Sequence, residues 1–313
     1  MVGRHAGRGR VTRGVVLHGT GGAWHVHCED GESVVAALRG RVKHESGVKL
    51  AVGDEVVVAR DTEGSGWAIA EVLHRRSRLA RKEPGRARGE RVIAANVDQV
   101  VVVFALRQPE PHVAMLDRFL VIAEANALAP RVVINKVDLA GEPEARRVFG
   151  TYQTIGYPLH ITSCRSGRGL DELREQLRGR TSVLTGPSGV GKSSLLNTLY
   201  PGLNLRVGEI SASVNKGRHT TVGAYLHPLP AGGFVVDTPG LREVGLWGVP
   251  SRGLDNCFPE FRALKDECRF ADCSHLVEPD CAVRSALSSG AVDASRYASY
   301  QKLLEEATVA EKF

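Results

Sequence analysis

The stretch "TSVLTGPSGVGKSSLLNTLYP", residues 181–201, decides how the rest of the chain is read. It begins as an apolar strand, passes through a glycine-rich loop of the form G-x-x-x-x-G-K-[ST], and continues as a helix. Strand, loop and helix in that order bring the backbone N–H groups of the loop and the amino end of the helix to one point, where phosphate oxygens bind. Gly186, Pro187, Ser188, Gly189, Val190, Gly191 and Ser194 are expected to line that point. Lys192 is expected to reach the β- and γ-phosphates, and the Ser193 hydroxyl to ligate Mg²⁺.

Downstream, "VVDTPG" at 235–240 places Asp237 at the carboxyl end of another apolar strand, where it can hold Mg²⁺ through water, with the Gly240 N–H near a γ-phosphate. Between the two lies "VNKGRHTTVG", whose Thr221 is the expected switch threonine on Mg²⁺, with Thr220 as the neighbouring alternative. Upstream, "VVINKVD" at 132–138 ends in the residues that read guanine. Asp138 accepts two hydrogen bonds from that base, Asn135 and the stem of Lys136 frame it, and Val137 spaces them. Adenine offers the wrong donors to such an aspartate, so the nucleotide is GTP or GDP. "ITSCRSGRGL" repeats the strand-to-loop arrangement and puts the Ser163 and Cys164 backbone at the base edge.

The order of these elements is permuted. In an ordinary small GTPase the phosphate loop leads and Asn-Lys-x-Asp comes late; here 135–138 and 163–164 precede 186–194, 221 and 237. A doubly wound sheet tolerates this when its natural ends can be joined and new ends open in a surface loop. In this order the second switch runs directly into the carboxyl-terminal part of the chain, which is expected to let nucleotide state move that part as a hinge.

The remaining text sorts around this centre. From Val11 to about Leu73, five short β-rich segments separated by tight turns predict a small barrel. "VGDEVVV" favours the OB type, and an SH3-like barrel would read almost alike. His25 and His27 alternate along one strand face and read as surface polar residues. Alternating apolar strands and helices from about 93 to 246 predict an α/β domain with a doubly wound parallel sheet. The expected domains are a barrel with a basic arm over 1–78, a basic linker over 79–92, the permuted GTPase domain over 93–246, and a mostly helical metal-binding domain over 247–313.

That last domain contains "CRFADCSHLVEPDC", or Cys268-x4-Cys273-x-His275-x5-Cys281. Three thiolates and an imidazole are the ligand set of a closed tetrahedral zinc site with no position for a catalytic water. Cys257, eleven residues upstream, reads as a core residue.

Composition limits the classes of function. Six cysteines in a reducing compartment argue against a disulfide framework. No apolar run is long enough to span a bilayer, and the amino terminus lacks the apolar stretch of a secretory signal, so a cytoplasmic location is expected. The formal charge is +6, and residues 75–91 alone hold eight Arg or Lys against Glu83 and Glu90, an excess equal to that of the whole chain. With Arg4, Arg8, Arg10 and Arg13 this predicts a contact with nucleic-acid phosphates.

Taken together, the barrel, the permuted order, "NKVD", "GPSGVGKSS", "GRHTT", "DTPG", "CFPEF" and the cysteine cluster resemble the ribosome small subunit-dependent GTPase A family, RsgA or YjeQ, over nearly the whole chain. The resemblance implies an OB-fold amino-terminal domain and a zinc-binding carboxyl-terminal domain. It further implies a role late in maturation of the 30S subunit, contact with 16S rRNA, and slow GTP hydrolysis that the subunit stimulates. An asymmetric ribosomal binder is most simply a monomer. A Ras-like enzyme orients its water with a glutamine just after D-x-x-G; here that position is Leu241. His219 is the expected catalytic substitute, and the resemblance points to the same position; the other reading gives His219 contacts to RNA or protein only. A different class of function, a nucleotide-gated RNA-binding module with incidental turnover, fits the same motifs.

Overall fold

The computed structural model describes residues 11–38, 49–60, 66–82, 90–205, 224–237, 249 and 251–311. His219, Thr220, Thr221, Gly240, Leu241 and the arginines of the amino-terminal arm before Val11 lie outside the described residues.

Five strands form the amino-terminal unit: β1 (Val11–Thr20), β2 (Ala23–Cys28), β3 (Ser33–Leu38), β4 (Glu55–Arg60) and β5 (Trp67–Val72). They close in the order β1-β2-β3-β5-β4, with β3 and β5 parallel and the other pairs antiparallel. Alternation does the sorting: Val16, Val26, Val34, Ala36, Val56, Val58 and Ile69 fill the interior. The closure is the Greek-key arrangement of an OB fold, so the strand order resolves what composition left open between OB and SH3-like barrels.

Next comes a two-stranded antiparallel ribbon, β6 (Arg78–Lys82) with β7 (Glu90–Ala95). The stretch read from sequence as a basic linker is therefore bordered by paired strands. Arginines at its start also pair with the chain's own carboxylates. Arg75 binds Asp54 at 2.6 Å, Arg76 binds Asp98 at 2.8 Å, and Arg78 binds Glu90 at 3.0 Å. Basic runs look alike in sequence whether their partners are phosphates or the protein's own carboxylates.

The central sheet contains β8 (Gln99–Ala105), β9 (Ala129–Asn135), β10 (Leu159–Ile161), β11 (Thr181–Thr185), β12 (Tyr225–Pro228) and β13 (Phe234–Asp237) in the order β10-β9-β8-β11-β13-β12. Five strands are parallel, and β12 is an antiparallel edge that the sequence reading missed because it is four residues long. Every residue of β8 is buried, as a strand covered on both faces requires. One face packs against α1 (Val113–Ala125) and α2 (Glu142–Thr154) through Leu116, Leu120 and Phe149. The other packs against α3 (Leu170–Leu177) and α4 (Lys192–Leu199) through Leu173, Leu177, Leu195 and Leu196.

The carboxyl-terminal unit has short helical turns over Leu254–Cys257 and Pro259–Arg262, then α5 (Ala282–Ser289) and α6 (Ala294–Glu311). Phe258, Phe261, Tyr297, Tyr300 and Leu303 form its core, and Val121 of α1 is part of the same cluster. Around that shared core, Arg118 binds Glu306 at 2.7 Å and Arg262 binds Glu124. At its centre Arg296, 1 % exposed, reaches Asp117 at 2.6 Å and Glu260 at 2.8 Å. The unit follows the second switch in sequence and is also docked along α1 through a shared apolar core and a buried ion triad, so any hinge movement has to break these contacts.

No helix among the described residues is long and apolar enough to cross a membrane.

Candidate functional site

β11 delivers the chain to the phosphate loop and α4 carries it away. Gly186 has φ 134°, and a Cβ there would lie 2.0 Å from the Val103 carbonyl of the neighbouring strand, so only glycine lets the loop leave the sheet at this point. A Cβ on Gly191, φ 95°, would lie 2.6 Å from the Asn135 amide nitrogen. The phosphate loop and the Asn-Lys-x-Asp loop thus touch through a glycine, although about fifty residues separate them.

Two side chains tie these loops, and a third fixes Asp138. Asn135, 2 % exposed, donates from Nδ2 to the Val190 carbonyl at 3.0 Å. Its Oδ1 accepts from the Thr162 hydroxyl at 3.4 Å, with the Cys164 thiol at 3.8 Å. Lys136, itself at φ 60°, donates from Nζ to the Gly189 carbonyl at 2.7 Å and to the Gln108 carbonyl. Ser163 takes the Ser166 N–H at 3.1 Å and gives its own hydroxyl proton to Asp138 Oδ1 at 2.5 Å, which fixes the carboxylate's direction. Thr162, Gln108 and Val190 as carbonyl or hydroxyl partners could not be found from the motif alone, because their roles depend on adjacent strand ends.

Lys192, largely buried, donates from Nζ to the Gly186 and Pro187 carbonyls, both at 2.7 Å, so the ammonium sits within the curve of the loop. Ser193 is buried at the first turn of α4, with Ser194 beside it, and Ser188 is exposed at the loop's rim. Asp237 ends β13, the immediate parallel neighbour of β11, half-buried at the same edge of the sheet. The structure therefore brings together 135–138, 163–164, 186–194 and 237 at the carboxyl ends of parallel strands, where open α/β sheets bind ligands. This arrangement can hold a guanine between Asp138 and Asn135, phosphates in the loop, and Mg²⁺ at Ser193 and Asp237.

The second site is the cysteine cluster. The ligand atoms of Cys268, Cys273, His275 and Cys281 all lie within 4.8 Å of one another. The Cys268 sulfur is 3.6 Å from His275 Nδ1 and 4.0 Å from the Cys281 sulfur, and the Cys281 sulfur is 3.4 Å from the same nitrogen. A tetrahedron with bonds of about 2.3 Å has edges of about 3.8 Å, so the donor set fits a metal ion. Burial, with the neighbouring Cys281 and Cys268, pushes the Cys273 thiol up to about 12, so a cation is what would make this sulfur a thiolate. Glu278 anchors the loop by accepting from the Ser274 N–H at 2.8 Å, the Ser274 hydroxyl at 2.6 Å and the Leu276 N–H at 3.1 Å. Tyr297 and Tyr300 of α6 donate to the His275 and Ser274 carbonyls at 2.6 and 2.9 Å. Cys257 is not in this group; it is buried in the aromatic core, where burial raises its thiol to about 11.

Comparison with known proteins agrees with this geometry. The model of the RsgA GTPase family matches residues 72–247. A small ribosomal subunit biogenesis GTPase RsgA from Gemmatimonas aurantiaca is 57% identical over 94% of this chain and 97% of its own length. The chain belongs to the RsgA GTPase family. Among other RsgA relatives, one from Bacteroides fragilis is 36% identical over 94% of this chain and 96% of its own. The crystal structure of YjeQ from Thermotoga maritima superimposes with a TM-score of 0.78 at 37% identity, covering 96% of this chain and 99% of that one. YloQ, described as a circularly permuted GTPase, gives 0.75 at 30% identity over 98% and 99% of the two chains. Permutation is thus shared by solved RsgA-like structures and is not an accident of motif matching.

Proposed function

We propose that this chain is a GTPase that binds the small (30S) ribosomal subunit and assists its late maturation, hydrolysing GTP to GDP and phosphate. Stimulation by the subunit and release on hydrolysis complete the reading. The observation that carries it is the contact of the guanine loop with the phosphate loop, Asn135 to Val190 and Lys136 to Gly189, in a chain whose relatives are named small ribosomal subunit biogenesis GTPases.

In this reading Asn135, Lys136, Val137, Asp138, Ser163 and Cys164 hold the base, and Gly186 to Ser194 hold the phosphates. Ser193, Asp237 and Thr221, or its neighbour Thr220, place Mg²⁺, with Gly240 sensing the γ-phosphate. His219 orients water where Leu241 cannot. Zinc fills the closed Cys268, Cys273, His275, Cys281 set and organises the carboxyl-terminal domain. The barrel over 1–78, the basic stretch over 79–92 and the metal domain over 247–313 flank the GTPase domain over 93–246 and contact 16S rRNA through phosphates and shape. The protein acts as a monomer in the cytoplasm.

Co-sedimentation with small subunits tests this directly. Retention is expected with a non-hydrolysable GTP analogue and loss with GDP. Single-turnover hydrolysis with and without subunits tests the enzyme itself. Equal rates would replace this reading with that of a nucleotide-gated RNA-binding module.

A further inference from the structure

Away from the nucleotide and metal sites, imidazoles and a phenol from two parts of the fold lie against one another. His18 of β1 stands opposite His25 of β2, ring centroids 4.0 Å apart and 21° from parallel. Tyr225, the first residue of β12, lies 4.8 Å from His18 and 6.5 Å from His227 on its own strand. His27 meets Phe234 of β13 edge-on at 6.1 Å. The strand face that sequence reading assigned to surface polar residues is thus laid on the edge hairpin of the GTPase sheet.

That hairpin has a particular position. β12 and β13 join the segment containing His219 and Thr221 to the segment containing Gly240. Tyr225 pairs across the hairpin with Asp237, the carboxylate assigned to Mg²⁺. A residue stacked on the barrel and a residue of the nucleotide site are therefore direct strand partners.

The barrel has a second and stronger attachment. Gly53 packs on Ala95 so closely that a Cβ would lie 2.2 Å from its carbonyl oxygen. Asn96 donates to the Gly53 carbonyl at 2.9 Å, and the Ala95 N–H donates to the Val52 carbonyl at 2.8 Å. An element with one hydrogen-bonded joint and one joint of stacked rings pivots at the first and yields at the second. The rings carry little polar anchoring of their own; His18 Nδ1 is buried with no hydrogen-bond partner among the described residues.

We propose that the stack of His18, His25, Tyr225 and His227 is the joint through which the nucleotide state of the GTPase site sets the docking of the barrel, and so the surface the barrel offers to a partner. This rests on the GTPase reading above. Movement at Asp237 shifts Tyr225 by strand pairing, and the ring stack passes that shift to the β1–β2 hairpin, while the joint of Val52 and Gly53 with Ala95 and Asn96 stays fixed.

Amide hydrogen exchange on the full chain with GDP or a non-hydrolysable GTP analogue tests the joint. Peptides over 14–28 are expected to differ between the two nucleotides by about fivefold or more, the lower range of ordinary inter-site coupling. His18→Leu, or Tyr225→Ala from the other side, should reduce the difference below about twofold. Nucleotide affinity and the exchange of 33–38 and 55–60 should be unchanged. An undiminished difference in the variants overturns the proposal. So does loss of barrel protection in both variants with either nucleotide, which would make the stack merely structural. Nucleotide binding with no response over 14–28 in the unaltered chain defeats the joint alone; no binding in a fluorescent-GDP titration defeats the GTPase reading as well.

Discussion

Replacing Arg296 by methionine should loosen the metal domain from the GTPase domain without touching either site. The guanidinium is 1 % exposed and lies between Asp117, 0 % exposed, and Glu260, 7 % exposed. It also lies 4.6 Å over the Phe258 ring and 5.7 Å over Tyr152. Burial works against the charge, and the two carboxylates outweigh it, so the group is held even more firmly protonated than usual. Without the guanidinium, Asp117 keeps the Tyr152 hydroxyl at 2.7 Å, and Glu260 loses both bonds to Arg296. Removing one partner of a buried pair costs about 3–5 kcal/mol, chiefly because the other charge is stranded. At about 1.4 kcal/mol per factor of ten, the opening equilibrium of residues 254–311 should rise by about two to nearly four orders of magnitude. Hydrogen exchange over α6 measures this, and a GDP titration should show little change. Replacing the whole group with apolar side chains, Arg296→Met with Asp117→Leu, Glu260→Met and Tyr152→Phe, should recover most of the loss, since the cost lies in unpaired charge rather than in a missing bond. A single-variant loss under about 1 kcal/mol would refute the view of this triad as the lock between domains.

Four further outcomes are expected. Ser163→Ala removes the hydroxyl that fixes Asp138, a bond to a charged group worth about 1.5–3 kcal/mol, and GDP affinity should fall by about tenfold or more in a fluorescence titration. Cys273→Ser, or strong chelation, should unfold the end of the chain, seen as lost protection over 268–289, while nucleotide binding persists; retained cooperative structure there would remove the metal from the fold's support. His219→Ala should leave nucleotide affinity intact and lower subunit-stimulated turnover, and unchanged turnover would take His219 out of the reaction. Burial, with His25 and His227, holds His18 below the usual histidine value. Its neutral form is therefore favoured by folding, its contribution is complete above about pH 6.5, and it is lost as pH falls below that toward the folded value. Exchange over 14–28 at pH 7.5 and 5.5, corrected for intrinsic rates, reads this; His18→Leu should reduce the dependence, and His227, also held low by burial, supplies what is left.

What the sequence determined by itself was whatever depends on residues close together in the chain. The phosphate loop was legible because strand, glycines, lysine and helix lie within twenty residues and the glycines answer to local backbone geometry. The cysteine cluster was legible for the same reason, and the permutation needed only the order of motifs. The barrel's strands showed in their alternation, and all five appear where expected. What needed the tertiary structure was pairing at long range. The same arginines that read as a phosphate contact also pair with the chain's own carboxylates, Arg75 with buried Asp54 and Arg76 with Asp98 at the surface, because charge density says nothing of where a counter-charge will fold. Strand β12 was missed because four residues carry too little periodicity to register. Asp117 and Arg296, 179 residues apart, read as ordinary polar positions on two helices, and only packing makes them the buried lock that holds the metal domain on α1. Sequence order joined that domain to the second switch; the apolar face of α1 and a buried charge that must be matched decided where it rests.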